Sequence, residues 1–234
     1  MFEKFTTFNQ NVPIKGISCY LVDDKTFLIA SMRRLKVLSS AALGGERRQT
    51  RFIINHTVEK SYNCDNPDRD LARLAEKIGL GEDVLGLMTA VDIRHTVVRS
   101  GVKKDLVVAA VCTAGTGNAC SAGIPVFTDE NAAAPGTINI VVLIDGNLTE
   151  AAMVNAVITA TEAKTRAMFQ ADIRLPDGNM ATGTTTDAIV IACTGRGKLL
   201  TYAGAATSLG YLVGLTVYRA VAQGIKDYLA ATAP

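Results

Sequence analysis

Three apolar runs in the second half of the chain, Leu106–Cys112, Thr137–Ile144 and Ala188–Cys193, alternate with two long helical patterns. This alternation constrains the fold more than any other feature. Runs of Val, Ile, Leu and Ala with few polar interruptions read as buried strands. The first long helix is predicted from about Thr149 to Phe169. Asn147 or Thr149 can cap it, and Glu150 is placed for a capping box with Asn147. Along it Ala152, Ala156, Ala160, Ala163 and Ala167 keep one side thin, so that another backbone packs closely. The closing helix is predicted over Ser208–Leu229. The first third reads as strands: Ile17–Val22 and Thr26–Ala30 flank a turn at Asp23-Asp24-Lys25, and Arg51–Ile54 is a further short run. Asn66-Pro67 opens a helix with Leu71, Leu74, Ala75 and Ile78 on one face, closed by Gly79 and Gly81. The expectation is one layered domain over residues 1–234, α/β or α+β in class, with a mixed β-sheet packed by helices. Strand order stays open. No repeat, low-complexity tract or linker divides the chain, and Pro125 to Pro135 is the best internal loop.

Of the 234 residues, 48 % are hydrophobic and 20 % charged, enough for a sizeable core. A net charge of +2 without a basic block argues against nucleic acid or an anionic membrane as partner. The densest basic pairs, Arg33-Arg34 and Arg47-Arg48, read as solvated surface. The start of the chain lacks the apolar stretch of a signal peptide. Five scattered cysteines without a C-x-x-C pair support neither a metal site nor a disulfide framework, so a reducing cytoplasm is expected. From Leu199 to Tyr218 there is no formal charge, about the length of a membrane span. Gly204, Gly210 and Gly214 and several hydroxyls lower its hydrophobicity, which favours a buried helix. The small residues on the last two helices suit a homo-oligomer and a compact monomer equally.

Two small and polar blocks mark a candidate site: Thr159-Ala-Thr161-Glu162-Ala-Lys164 and Ala181-Thr-Gly183-Thr-Thr-Thr-Asp187. Small residues let a ligand approach the backbone, and the few charged groups can do chemistry there. Glu162 suits a general base if it is buried, or else is a structural carboxylate. Lys164 is either a partner of the Thr161 hydroxyl three residues earlier or a solvated amine. Asp187 can accept hydrogen bonds from nearby backbone and threonine groups, or orient a catalytic group. The stretch Thr113–Gly123 follows a strand. Gly115, Gly117 and Asn118 there offer backbone N–H groups to an oxyanion, or form a tight turn. It lacks the third glycine of a dinucleotide fingerprint and any Gly-Lys-Ser/Thr. His56, after an apolar strand, is the better catalytic histidine, since His95 looks exposed. No Gly-x-Ser-x-Gly elbow or His-Glu-x-x-His helix is present.

The ordered set of short motifs resembles the adenosylcobinamide amidohydrolase family. The stretches are Phe52-Ile-Ile-Asn55-His56-x-Val58 with Tyr62, Gly86-Leu-Met-Thr-Ala90, Thr113-Ala-Gly-x-x-Asn118-Ala119 and Gly136-Thr-Ile-Asn139. They continue with Thr161-Glu-Ala-Lys164, Ala181-Thr-Gly-Thr-x-Thr-Asp187 and Tyr202-Ala-Gly204, while residues 1–45 match only loosely. The resemblance implies hydrolysis of the amide joining a corrin propionyl side chain to aminopropanol, giving adenosylcobyric acid for cobamide salvage. The corrinoid is then substrate, with no cofactor and no metal ligands of the protein's own. On chemical grounds Glu162 is assigned as base, with Asp187 or His56 orienting or protonating. The N–H groups near Gly115, Gly117 and Asn118 are assigned to the oxyanion. Asn55, Thr137, Asn139, Lys164 and Thr184 complete the expected substrate-binding set. A nucleophilic Thr113, Thr137 or Thr184 is a rival to a base-activated water, and Gly136-Thr137 a candidate self-cleavage site. The competing readings are a non-catalytic corrinoid-binding module and an amidohydrolase for another amide.

Overall fold

The computed structural model describes residues 2, 4–10, 12–63, 65–125 and 136–233; Cys64 and all but the first residue of the Pro125 to Pro135 loop lie outside them. Among the described residues a nine-stranded mixed sheet bends into two facing halves. One half holds β1 (Thr6–Thr7), β2 (Ile17–Asp23), β3 (Thr26–Ser39), β4 (Gln49–Thr57) and β5 (Val84–Thr89). The other holds β6 (Val97–Lys103), β7 (Leu106–Ala114), β9 (Ile138–Asp145) and β12 (Ala188–Cys193). Two-residue strands lie between and after these: β8 (Ala119–Cys120), β10 (Asn147–Leu148), β11 (Gly183–Thr184) and β13 (Leu199–Leu200). Three helices pack on the sheet: α1 (Pro67–Lys77), α2 (Glu150–Gln170) and α3 (Ser208–Thr232). Only β4–β5 and β9–β12 pair in parallel within the large sheet, which makes the fold α+β rather than α/β.

The bend lives in β3. Its first residues pair with β2, whereas Lys36–Ser39 pair with β12, and the register against β4 shifts between Ala30 and Leu35. Such a bulge bends a strand and increases its twist. The exposed Met32-Arg33-Arg34 sits at that break. The halves therefore close over one apolar core that includes Phe27, Ile29, Ile53, Leu87, Val111 and Val141. Side chains alternate along β4, so Ile53 and Asn55 point into this core while Ile54 and His56 point outward. The outward face of β4–β5 is covered by Leu71 and Ala75 of α1. The outward face of β7–β9–β12 is covered by α2 and α3 through the predicted alanine stripe.

Thr149, not Asn147, caps α2: its side chain accepts from Ala152 N, while Asn147 is used in β10 against Leu199. The uncharged stretch divides between β13 and α3, whose N-cap is Thr207. No described helix is long and apolar enough to cross a membrane. A Cβ at Gly210 would overlap the Ala203 and Gly204 carbonyls, so glycine is needed where this chain turns onto α3.

Candidate active site

The N-terminal ends of the parallel strands β9 and β12 meet the C-terminal ends of β4, β5 and β7. There a cleft of about 420 Å³ is lined by Tyr62, Met88, Asn118, Thr137, Asn139 and Asp187, among others. Asp187 is held from four directions. Its Oδ1 accepts from Ile138 N at 3.2 Å and from the Thr184 hydroxyl; its Oδ2 accepts from Thr184 N at 3.2 Å and from Lys164 Nζ. Lys164 is only 7 % exposed and Thr184 6 %. An ammonium buried this far persists only with a paired counter-charge, which Asp187 supplies. Gly183 lies against both charges, and any Cβ there would overlap them. A second cleft of about 380 Å³, between β3 and α2, reaches the same pair and shares Ser40 and Asp187 with the first.

Behind the first cleft the sheet halves are joined by a buried amide relay. Asn55 Nδ2 donates to Thr113 Oγ1 at 2.9 Å, and Asn139 Nδ2 donates to Asn55 Oδ1 at 2.9 Å and to Met88 O at 2.7 Å. Thr137 Oγ1 donates to Thr186 O at 2.8 Å. Asn118 Nδ2 donates to Thr185 Oγ1 at 2.6 Å, and its Oδ1 is buried without a partner among the described residues. Gly136 lets these loops meet: a Cβ there would fall 2.6 Å from Asn118 Oδ1 and 2.8 Å from Gly115 O.

The structure thus places Asn118, Thr137, Asn139 and Asp187 on the wall of one cleft, with Asn55, Lys164 and Thr184 hydrogen-bonded behind that wall. It separates others. Glu162 is exposed and lines neither cleft that meets at Asp187, because the stripe Ala160, Ala163, Ala167 turns Lys164 inward instead. The solvated reading of Lys164 is corrected accordingly. Thr161 is no partner for it, since its hydroxyl donates to Val157 O at 2.9 Å. His56 lies on the opposite face of β4 from Asn55 and lines a different cleft. Burial pushes its imidazole below the ordinary histidine range, partly offset by Asp23. Gly115 N–H donates to Thr137 O at 3.0 Å and is already committed, so the expected oxyanion loop lacks that donor. Gly117 is exposed at the loop tip, and His95 is half-buried in a 3₁₀ turn rather than exposed. Two uncharged groups carry no signal in the sequence: Ser40, just past the end of β3, and the main-chain carbonyl of Met88 in β5. Burial raises the Cys112 and Cys193 thiols, the latter to about 12, so neither is a thiolate near neutrality. Among the described residues no three His, Cys, Asp or Glu side chains gather as a metal site would require.

A strand-end cleft walled by Asp187, a carboxylate that takes four donors and is ion-paired with a buried lysine, has the form of a small-molecule site. The family model described as adenosylcobinamide amidohydrolase matches residues 12–233, and the chain belongs to that family. Its relatives include an adenosylcobinamide amidohydrolase of Methanosarcina mazei, 32 % identical over 80 % of this chain and 88 % of that one. A protein of the same name from Halobacterium salinarum is 33 % identical over 83 % of this chain and 82 % of that one. Among solved structures, the PH0078 protein from Pyrococcus horikoshii OT3 aligns with a TM-score of 0.44 at 11 % identity, over 97 % of this chain and 83 % of that one.

Proposed function

We propose that this protein is an amidohydrolase that cleaves the aminopropanol amide of adenosylcobinamide, giving adenosylcobyric acid for cobamide salvage. Family membership supports the substrate class. One observation supports the chemistry: the buried Thr184 hydroxyl, the Asp187 carboxylate and the buried Lys164 ammonium form a single hydrogen-bonded chain that reaches the cleft through Asp187. All four acceptor positions of Asp187 are filled, so the proton it is placed to take is the one on Thr184. In this reading Thr184 Oγ1 attacks the amide carbonyl carbon as its proton passes to Asp187. That proton then leaves on the aminopropanol nitrogen as the C–N bond breaks. Water hydrolyses the resulting Thr184 ester by the same path in reverse, releasing the acid. Lys164 holds the carboxylate in position throughout.

The test is aminopropanol release from adenosylcobinamide, followed by mass spectrometry. Thr184→Ala and Asp187→Asn should each lower turnover at least about 100-fold, and intact-mass spectra should show an acyl adduct that Thr184→Ala abolishes. Exposed Glu162→Gln should turn over like the parent. Full activity in Thr184→Ala without any adduct would return the attack to a water. Corrinoid binding with no release by the parent protein would support the non-catalytic module, and release from some other amide alone would support the third reading.

A further inference from the structure

Beside the catalytic cleft lies another of about 450 Å³ that the proposed reaction leaves unused. It runs between the outward face of β4–β5 and α1, and shares Val58, Glu59, Tyr62 and Met88 with the first, so the two form one bent trough. Its wall is apolar through Leu71, Leu74 and Met88, and its rim polar through the Lys25–Glu59 ion pair and Asp70. That division suits a flat, largely apolar ring fringed with amide arms, and one arm could then cross the shared wall toward Asp187. His56 stands in this wall. Its Nδ1 lies 3.0 Å from the hydroxyl of fully buried Thr26, which fixes the ring plane, and its Nε2 has no partner among the described residues.

We infer that His56 Nε2 is an axial ligand to the cobalt of the bound corrinoid, in the cleft next to the one where its arm is cut. The inference rests on the corrinoid reading above. Ligating histidines hold their second nitrogen in a hydrogen bond that orients the ring, as Nδ1 and Thr26 do here. A metal takes a ring nitrogen that carries no proton, and the Nδ1 contact with Thr26 leaves Nε2 for that part on the cleft wall. Cobalt coordination anchors the ring and sets the distance between it and the scissile arm, so affinity lies in one cleft and bond cleavage in the other.

The probe is cob(II)inamide, a paramagnetic cobalt(II) corrinoid that carries no nucleotide base of its own. Bound to untagged protein in imidazole-free buffer, it should show cobalt EPR lines split into nitrogen triplets. With protein grown on nitrogen-15 histidine these should become doublets. The splitting should vanish in His56→Gln, persist in His95→Ala, and accompany about tenfold weaker binding in Thr26→Val. Bound cob(II)inamide without nitrogen splitting, no binding at all, or a triplet that survives His56→Gln overturns the inference. The isotope comparison needs no variant, so a misfolded mutant cannot mask the answer. Aminopropanol release without nitrogen coupling removes the ligation alone; coupling without release removes the proposed hydrolysis alone.

Discussion

The two clefts share a wall but hold their polar groups in opposite ways. At Asp187 the charged groups are bonded and largely withdrawn from solvent: the carboxylate takes four donors, and the Asn55–Asn139 relay ties the sheet halves together behind it. At His56 the ion pair of Lys25 and Glu59 lies in solvent, and the imidazole has one hydrogen-bonding neighbour. Asn55 and His56 are adjacent in sequence and separated only by the alternation of a strand. The difference teaches that preorganisation and capacity to bind are divided between the two faces of one strand. A rigid charge cluster needs no reorganisation during a reaction. A roomier cleft with a solvated rim can take a large ligand.

The largest expected effect breaks the rigid side. Lys164→Met leaves the part-buried Asp187 carboxylate opposite an apolar chain and should cost about 3–5 kcal/mol of stability. Asp187→Asn combined with Lys164→Met should recover part of that loss, because no unpaired charge remains, while turnover stays lost in all three variants. Urea unfolding of the complete double-mutant cycle measures the coupling. Strictly additive losses would show that the two charges are held independently.

Leu71→Ala enlarges the His56 cleft from beneath. Leu71 is fully buried against Ile54 and Val84, so the truncation should cost about 2–5 kcal/mol, depending on how far α1 settles. If the clefts divide labour, kcat for amide cleavage should hold while KM rises. A fall in kcat with unchanged KM would place α1 in the service of the Asp187 cluster instead.

Much of this arrangement can be read from the chain, and the misses have physical causes. Ala188–Cys193 is a strand with the boundaries its apolar run predicts, and the alanine stripe of α2 packs where it should. β5 and β6 escaped because Gly86 interrupts the first and Arg99-Ser100-Gly101 the second, erasing the periodicity that marks a strand. The bend of the sheet escaped for a related reason. Met32-Arg33-Arg34 reads as surface, whereas it is the exposed outside of a bulge in a strand that continues to Ser39. The two small-residue blocks did converge, as Lys164 meeting Asp187. The inward charge of the first block is Lys164, while Glu162, the expected base, is exposed. Glu162 and Lys164 differ by two residues, so they face different sides of α2. Lys164 lies four residues after Ala160, on the stripe already identified as buried, and that phase was the available signal.

The smallest effect belongs to the adaptable side and sharpens the comparison through pH. Burial holds the folded-state pKa of His56 below its unfolded value, so the unfolded chain takes up its proton first as pH falls. The stability tied to the neutral imidazole is therefore complete above the unfolded pKa and is lost as pH drops through the folded one. Between about pH 7 and pH 5 the urea midpoint of the parent should fall more than that of His56→Gln, which has no proton to gain there. Saturating cob(II)inamide should protect the parent more strongly at the upper end of this range, since cobalt and proton compete for Nε2. The Lys164–Asp187 variants should show no such ligand-linked pH dependence beyond the parent's. If His56→Gln instead tracks the parent across the whole range, the imidazole is solvated in the folded protein and the second cleft is more open than its lining indicates.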